Sequence, residues 1–361
     1  MTHASRMRRH LSAFALALSA CASAGSSAAS GVNGQPRVRD ATDVIAEALR
    51  SHRLVLISEH HWSVPVHEQL RRIISDSRVT ALIDDIVVEF GNPLYQTIVD
   101  RYIAGENVPT DSVRLAWRNT TQLLAWDSPL YERFYATVRA LNAGRPPDRR
   151  IRLLAGDPPI DWSRTTRAQD IPRTYGFRDI ETISIIEREV LAKGRRALVV
   201  IGEEHVVRTS DPAPGAPPKP LERQSLGEAL HHRHPDAAFL VGTVVGGASN
   251  LGRAIRRWPN GSMATIAGTA LGLAAASIRR RDTTADTALA PVAPGQLRLQ
   301  DLFDAILYAG PSVETLEPPG AVYRREPEYE REIRRRIQIL RAFYGVDIWT
   351  EDLDRLLRAR P

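Results

Sequence analysis

The chain holds one cysteine in 361 residues. That excludes a disulfide framework and any zinc site built on several thiolates. Lysine is nearly absent too: of 48 Lys+Arg, only Lys193 and Lys219 are lysine. So strong a lean toward arginine reads as a habit of composition rather than a surface shaped for one ligand. No apolar run reaches the ~20 residues a permanent membrane helix needs. There is no serine nucleophile elbow, no HExxH and no glycine-rich phosphate loop. The formal charge of +6 suggests an anionic partner at first. Arg6, Arg8 and Arg9, however, sit in an acid-free leader, and without them 45 basic residues face 42 acidic ones. A balance that close to zero gives no reason to expect nucleic acid.

What is present is a chain 43% hydrophobic and 25% charged, long enough to bury a large core. Its first 20 residues have the layout of a secretory signal: the three arginines, then the short apolar stretch Leu11 to Ala20. Leu18-Ser19-Ala20-Cys21 resembles the lipobox of bacterial lipoproteins. The resemblance implies cleavage before Cys21 and acylation of its thiol and new amine, which gives stable membrane anchoring. An ordinary signal cut after Ala24 is the alternative. Residues 21–36 are rich in Ser, Ala and Gly and read as a flexible tether. Ala22 follows the cysteine, not Asp, and by resemblance to lipoprotein sorting in Gram-negative bacteria that permits the outer membrane. The expected location is therefore the cell envelope, on the periplasmic face of the outer membrane.

Residues 37–361 read as one α/β domain. Short apolar runs at 54–57, 85–90, 150–155, 197–201 and 237–245 predict buried strands. Helical stripes lie between them at 66–74, 93–103, 110–125, 128–142, 180–191 and 221–232. This alternation predicts a mainly parallel sheet covered by helices on both faces. Residues 211–220 form a Pro-rich loop, 302–308 fit strand or helix, and 329–344 and 350–357 read as C-terminal helices. The apolar stretch 263–278 is short and dominated by Ala and Gly, so it reads as a covered segment rather than a membrane helix.

In such a sheet, ligands bind beyond the carboxyl ends of the strands. Strand one ends in Ser58-Glu59-His60-His61, strand two in Glu89, strand three in Gly156-Asp157 and strand four in Gly202-Glu203-Glu204-His205. Carboxylates crowded on one rim repel, so a cation must sit among them or a pKa must rise. His with carboxylate oxygen suits a divalent metal. Without metal, the same groups suit general acid–base chemistry. Trp62, Trp117, Trp126 and Trp162 read as core or pocket wall.

SEHH after the first strand and GEEH after the fourth are similar to the paired GxxH motifs of the Tiki, TraB, erythromycin-esterase and ChaN superfamily. Glu59 and His61 match the acid and histidine of the first motif, with Ser58 replacing its glycine. Gly202 and His205 match the second motif, and Glu89 resembles the acid that ends the second strand. The resemblance implies two functions. One is an envelope lipoprotein with a metal-dependent or His/Glu acid–base hydrolase site. In it His61, His205, Glu59 and Glu89 are catalytic, these four with Asp157 hold the metal, and Glu68 and Glu204 stand in reserve. The other is a ChaN-like haem- or iron-binding lipoprotein without turnover, with Tyr95, Tyr102 or Tyr131 available as an axial ligand. The partners implied are a membrane surface through Cys21 and a small-molecule, peptide or haem ligand.

Overall fold

The computed structural model describes residues 34–208, 219–276, 279–281, 289–291 and 297–359. The leader, Cys21, most of the tether and most of the Pro-rich loop lie outside them. Eight strands form one sheet: β1 (Arg39–Asp40), β2 (Leu54–Glu59), β3 (Asp85–Val88), β4 (Arg152–Ala155), β5 (Ala197–Gly202), β6 (Ala238–Val245), β7 (Ser262–Thr265) and β8 (Ala305–Gly310). Their spatial order is β1-β7-β8-β6-β2-β5-β3-β4. From β8 to β4 every pairing is parallel, while β7 and β1 close one edge antiparallel. The sheet is thus mainly parallel, as the alternation of strands and helices predicted.

Every residue of β2, β3, β5 and β8 is buried, as expected of strands covered on both faces. Alternate side chains go to opposite sides. Val55, Ile57, Ile86, Val88, Leu198 and Val200 pack on one face with α1 (Ala41–Ser51), α2 (Val64–Ser75), α3 (Gln96–Ile103), α4 (Thr110–Arg118) and α5 (Pro129–Asn142). Leu54, Leu56, Val87, Val199 and Ile201 pack on the other with α6 (Asp179–Ile186) and α7 (Leu226–Arg233). Helix starts follow sequence signals. The Asp40 carboxylate accepts from Thr42 N–H at 2.9 Å, and Ser128 caps α5 with Pro129 in its first turn. Gly227 lets α7 approach the turn Glu203–Val206, because a Cβ there would fall 2.1 Å from the Val206 carbonyl oxygen.

A third apolar cluster lies beyond the strand ends. Leu123, Leu124, Ile160 and Trp162, from loops after β3 and β4, pack against Tyr323 and against α8 (Pro327–Tyr344) and α9 (Thr350–Arg358). The C-terminal helices therefore cap the end of the sheet that carries the candidate site.

Readings sharpen at three places. Residues 262–265 are strand β7, and no helix among the described residues is long and apolar enough to cross a membrane. The run 302–308 divides into a helical turn Leu299–Leu302 and strand β8. The second strand ends at Val88, so Glu89 stands just past it.

Candidate active site

Register brings the predicted ends together. Glu59 pairs with Gly202 across β2 and β5, and Val88 pairs with Val200 across β3 and β5. The ends of β2, β5, β3 and β4 are therefore consecutive along the rim. Gly202 marks their meeting point. A Cβ on it would lie 3.3 Å from Glu89 Oε2, 3.4 Å from His205 Cδ2 and 3.8 Å from His61 Cε1.

Glu59 is the hub of one half. Its side chain is buried and accepts from His61 Nδ1 at 2.5 Å, His67 Nε2 at 2.8 Å and the Tyr131 hydroxyl at 3.1 Å. Burial disfavours its charge, but the two imidazoles outweigh burial and hold its pKa well below the usual carboxylate range. Because Nδ1–H of His61 is committed to Glu59, Nε2 is the nitrogen left to act. Burial opposes a charged His61, yet Glu59 and then Glu89 raise its pKa above the ordinary 6.5. The Trp126 ring stands edge-on to His61, with centroids 4.7 Å apart.

Arg178 is the centre of the other half. It reaches Glu89 Oε1 through Nη2 at 2.9 Å, and Asp157 Oδ1 through Nε at 2.9 Å and through Nη2. Glu89 Oε2 also accepts the Gly202 N–H at 2.8 Å. Burial pushes the Glu89 pKa up, but Arg178, His205 and His61 bring it below its ordinary value. Asp157 fares differently: burial, with Glu89 nearby, raises it to about 6 despite Arg178. The Arg178 Nη1 is buried and has no hydrogen-bond partner among the described residues.

His205 donates through Nδ1 to Asp179 Oδ1 at 2.6 Å. Its Nε2 lies 3.8 Å from both Glu89 Oε1 and Glu204 Oε1, beyond hydrogen-bond reach. Burial opposes the charged ring, but Asp179, Glu89 and Glu204 together raise its pKa to about 9. At neutral pH His205 is therefore an imidazolium.

A divalent ion does not fit this donor set. Among the described residues no group of three or more His, Cys, Asp or Glu is arranged to hold one. The physical reason is Arg178: its guanidinium occupies the place between Glu89 and Asp157 that the crowded acids reserve for a cation. Glu59 is turned toward two imidazoles and a phenol. The expected metal set Glu59, His61, Glu89, Asp157 and His205 is thus brought together, but as ion pairs and hydrogen bonds among its members and Arg178.

Other expected residues fall elsewhere. Glu68 is exposed on α2, and Glu204 is exposed beside His205. Ser58 lies inside β2, where its hydroxyl accepts the Thr243 N–H at 2.6 Å. Tyr131 is fully buried and committed to Glu59, and the Tyr95 hydroxyl accepts from Asn119 at 2.6 Å. Trp62, Trp117 and Trp162 are buried, as core or wall residues should be. Sequence reasoning missed Arg178 and Asp179. Their one signal is a charged pair at the start of the helix that follows the β4 end.

No family model matches the chain, and no curated protein matches it. Among solved structures it is similar to a protein from Bacillus cereus at 10% identity and a TM-score of 0.48, covering 85% of this chain and 97% of that one. It is similar to an erythromycin esterase mutant in its open conformation at 12% identity and a TM-score of 0.47, covering 76% and 94%. It is also similar to the haem-binding ChaN of Campylobacter jejuni at 11% identity and a TM-score of 0.31, covering 57% and 90%. At these identities the likeness is one of fold.

Proposed function

We propose that this chain is a metal-independent hydrolase that cleaves a carboxylic ester by His/Glu acid–base chemistry. The observation that carries the reading is the pairing of two oriented imidazoles across Gly202. His61 is fixed by Glu59, and His205 is fixed by Asp179. In the proposed reaction His61 Nε2 takes a proton from water, and the water oxygen attacks the ester carbonyl. The oxyanion is met by His205 Nε2–H and Arg178 Nη1, donors set in place before reaction. Collapse of the tetrahedral intermediate breaks the C–O bond, and His205 protonates the departing alkoxide. Exchange with solvent returns one proton to His205 and removes one from His61. With no Lewis acid to polarise the carbonyl, an ester suits these groups better than an amide, because an alkoxide leaves far more readily than an amine.

The two pKa shifts give a pH profile. His61 must be neutral and His205 charged, so kcat/KM rises as pH passes a value above 6.5 and falls near 9. Asp179→Asn removes the charge that raises His205, so the alkaline limb moves to lower pH while the acid limb stays. Initial rates on p-nitrophenyl butyrate across pH 5–10, roughly the range that brackets both limbs, test this. A flat profile, or an unmoved alkaline limb in Asp179→Asn, would refute the role given to His205.

The ChaN-like reading, haem held without turnover, makes a different prediction: a Soret band on adding haem to a protein inactive on esters. We also place the protein in the cell envelope through a lipid on Cys21. Metabolic labelling with a fatty acid, lost in Cys21→Ser, supports that anchor; labelling unchanged in Cys21→Ser removes it.

A further inference from the structure

The turn Ala125–Asp127 lies between the site and the C-terminal helices. Its middle residue, Trp126, is buried, 4.7 Å from the His61 ring and 4.9 Å from that of Tyr131. The Trp126 Nε1 has no hydrogen-bond partner among the described residues. The ring is therefore placed by the backbone on either side of it and by packing, not by its own N–H.

That backbone is tied at two points. On one side the Ala125 carbonyl accepts from Trp62 Nε1 at 2.7 Å. On the other, Asp127 Oδ2 accepts the hydroxyls of Tyr323 at 2.8 Å and Tyr329 at 3.0 Å, and Oδ1 pairs with Arg118 Nε at 3.2 Å. Arg118 stacks over Tyr329 at 4.4 Å and binds Glu326, and Arg336 of α8 donates to the Arg118 carbonyl at 2.9 Å. Leu124 and Trp62 both have left-handed backbones, φ 68° and 65°. Non-glycine residues persist there only where their surroundings over-determine them. Two such residues meet at this turn, one next to His61 and one next to Ala125.

We propose that Asp127 is a positioning residue: through it, Tyr323 and Tyr329 let the C-terminal helices hold Trp126 against His61 and fix the imidazole that acts as base. The catalytic consequence rests on the hydrolase reading; the placement of the ring does not. Asp127 faces Arg118, Tyr323, Tyr329 and Glu326, whereas His61 faces Glu59, Glu89 and Arg178. The contact that links Asp127 to His61 is the Trp126 ring, which adjoins Asp127 in the chain and stands edge-on to the imidazole.

The test reads the His61 ring without substrate. In protein carrying 13C at histidine Cε1, the His61 signal is assigned by its loss in His61→Gln. Trp126→Leu then shows how far the indole ring current displaces it. At one fixed pH, Asp127→Ala is expected to move the His61 signal toward its Trp126→Leu position, with the signals of exposed His231 and His232 unmoved. If Asp127→Ala fails to fold, Tyr323→Phe with Tyr329→Phe serves instead, because it keeps the aromatic packing and removes both hydroxyls. A folded variant whose His61 signal stays at the wild-type position overturns the proposal. Because no turnover is measured, an inactive wild type would count against the hydrolase reading and leave this result standing.

Discussion

His61→Ala is expected to lower kcat/KM on p-nitrophenyl butyrate by roughly 10³-fold, in the middle of the range for removal of a general base. The fold should survive, because Glu59 keeps His67 and Tyr131 as partners and its charge stays satisfied. The loss should fall on kcat, since the ring acts on water rather than on the substrate body. Glu59→Gln is the companion variant. A neutral amide no longer holds His61 with its proton on Nδ1, so the base is present but no longer fixed in its tautomer. Steady-state rates with unfolding curves for each protein check both. A folded His61→Ala variant at wild-type rate would remove His61 from the mechanism.

Arg178→Met is expected to be the most destabilising single change at the site, by about 3–5 kcal/mol, the range for breaking a buried ion pair from one side. The reason is geometric. Glu89 and Asp157 are both buried and both lean on this one guanidinium. Without it, one of the two acids must take up a proton or remain as an unpaired buried charge. Asp157→Asn in the Arg178→Met background should recover part of the loss, since the crowd then holds one charge fewer. Urea unfolding of the single and double variants checks this. An Arg178→Met protein as stable as wild type would mean that the carboxylates find their cation elsewhere.

Much of this site is legible in the sequence, for a stated reason. Buried strands read as apolar runs, and a residue directly after such a run must lie at the rim formed by the strands' carboxyl ends. Glu59, His61, Glu89, Asp157, Gly202 and His205 all declare themselves that way. The strand order does not. Nothing local says that β5 inserts between β2 and β3, and that insertion is what brings Glu59, Gly202 and Glu89 side by side. The crowding of acids called for a cation or a raised pKa, and the site holds both, in Arg178 and in Asp157, where a divalent metal was expected. Arg178 is one arginine in a chain crowded with them, paired with Asp157 across 21 residues. The same holds for Asp179, 26 residues from His205. Tyr131 was legible only as one tyrosine available to ligate haem; its burial and its direction, toward Glu59, depend on how α5 packs on α2 and β2. The C-terminal cap was legible only as helices: their contact with the 118–127 segment joins residues some two hundred positions apart.

The most direct test of the central claim is ester hydrolysis by protein stripped of metal with a strong chelator, measured beside His61→Ala in the same buffer. A guanidinium-centred acid–base site predicts that the stripped wild type keeps its full rate while His61→Ala loses roughly a thousandfold. A stripped wild type that loses its activity and regains it on addition of a divalent cation would contradict it.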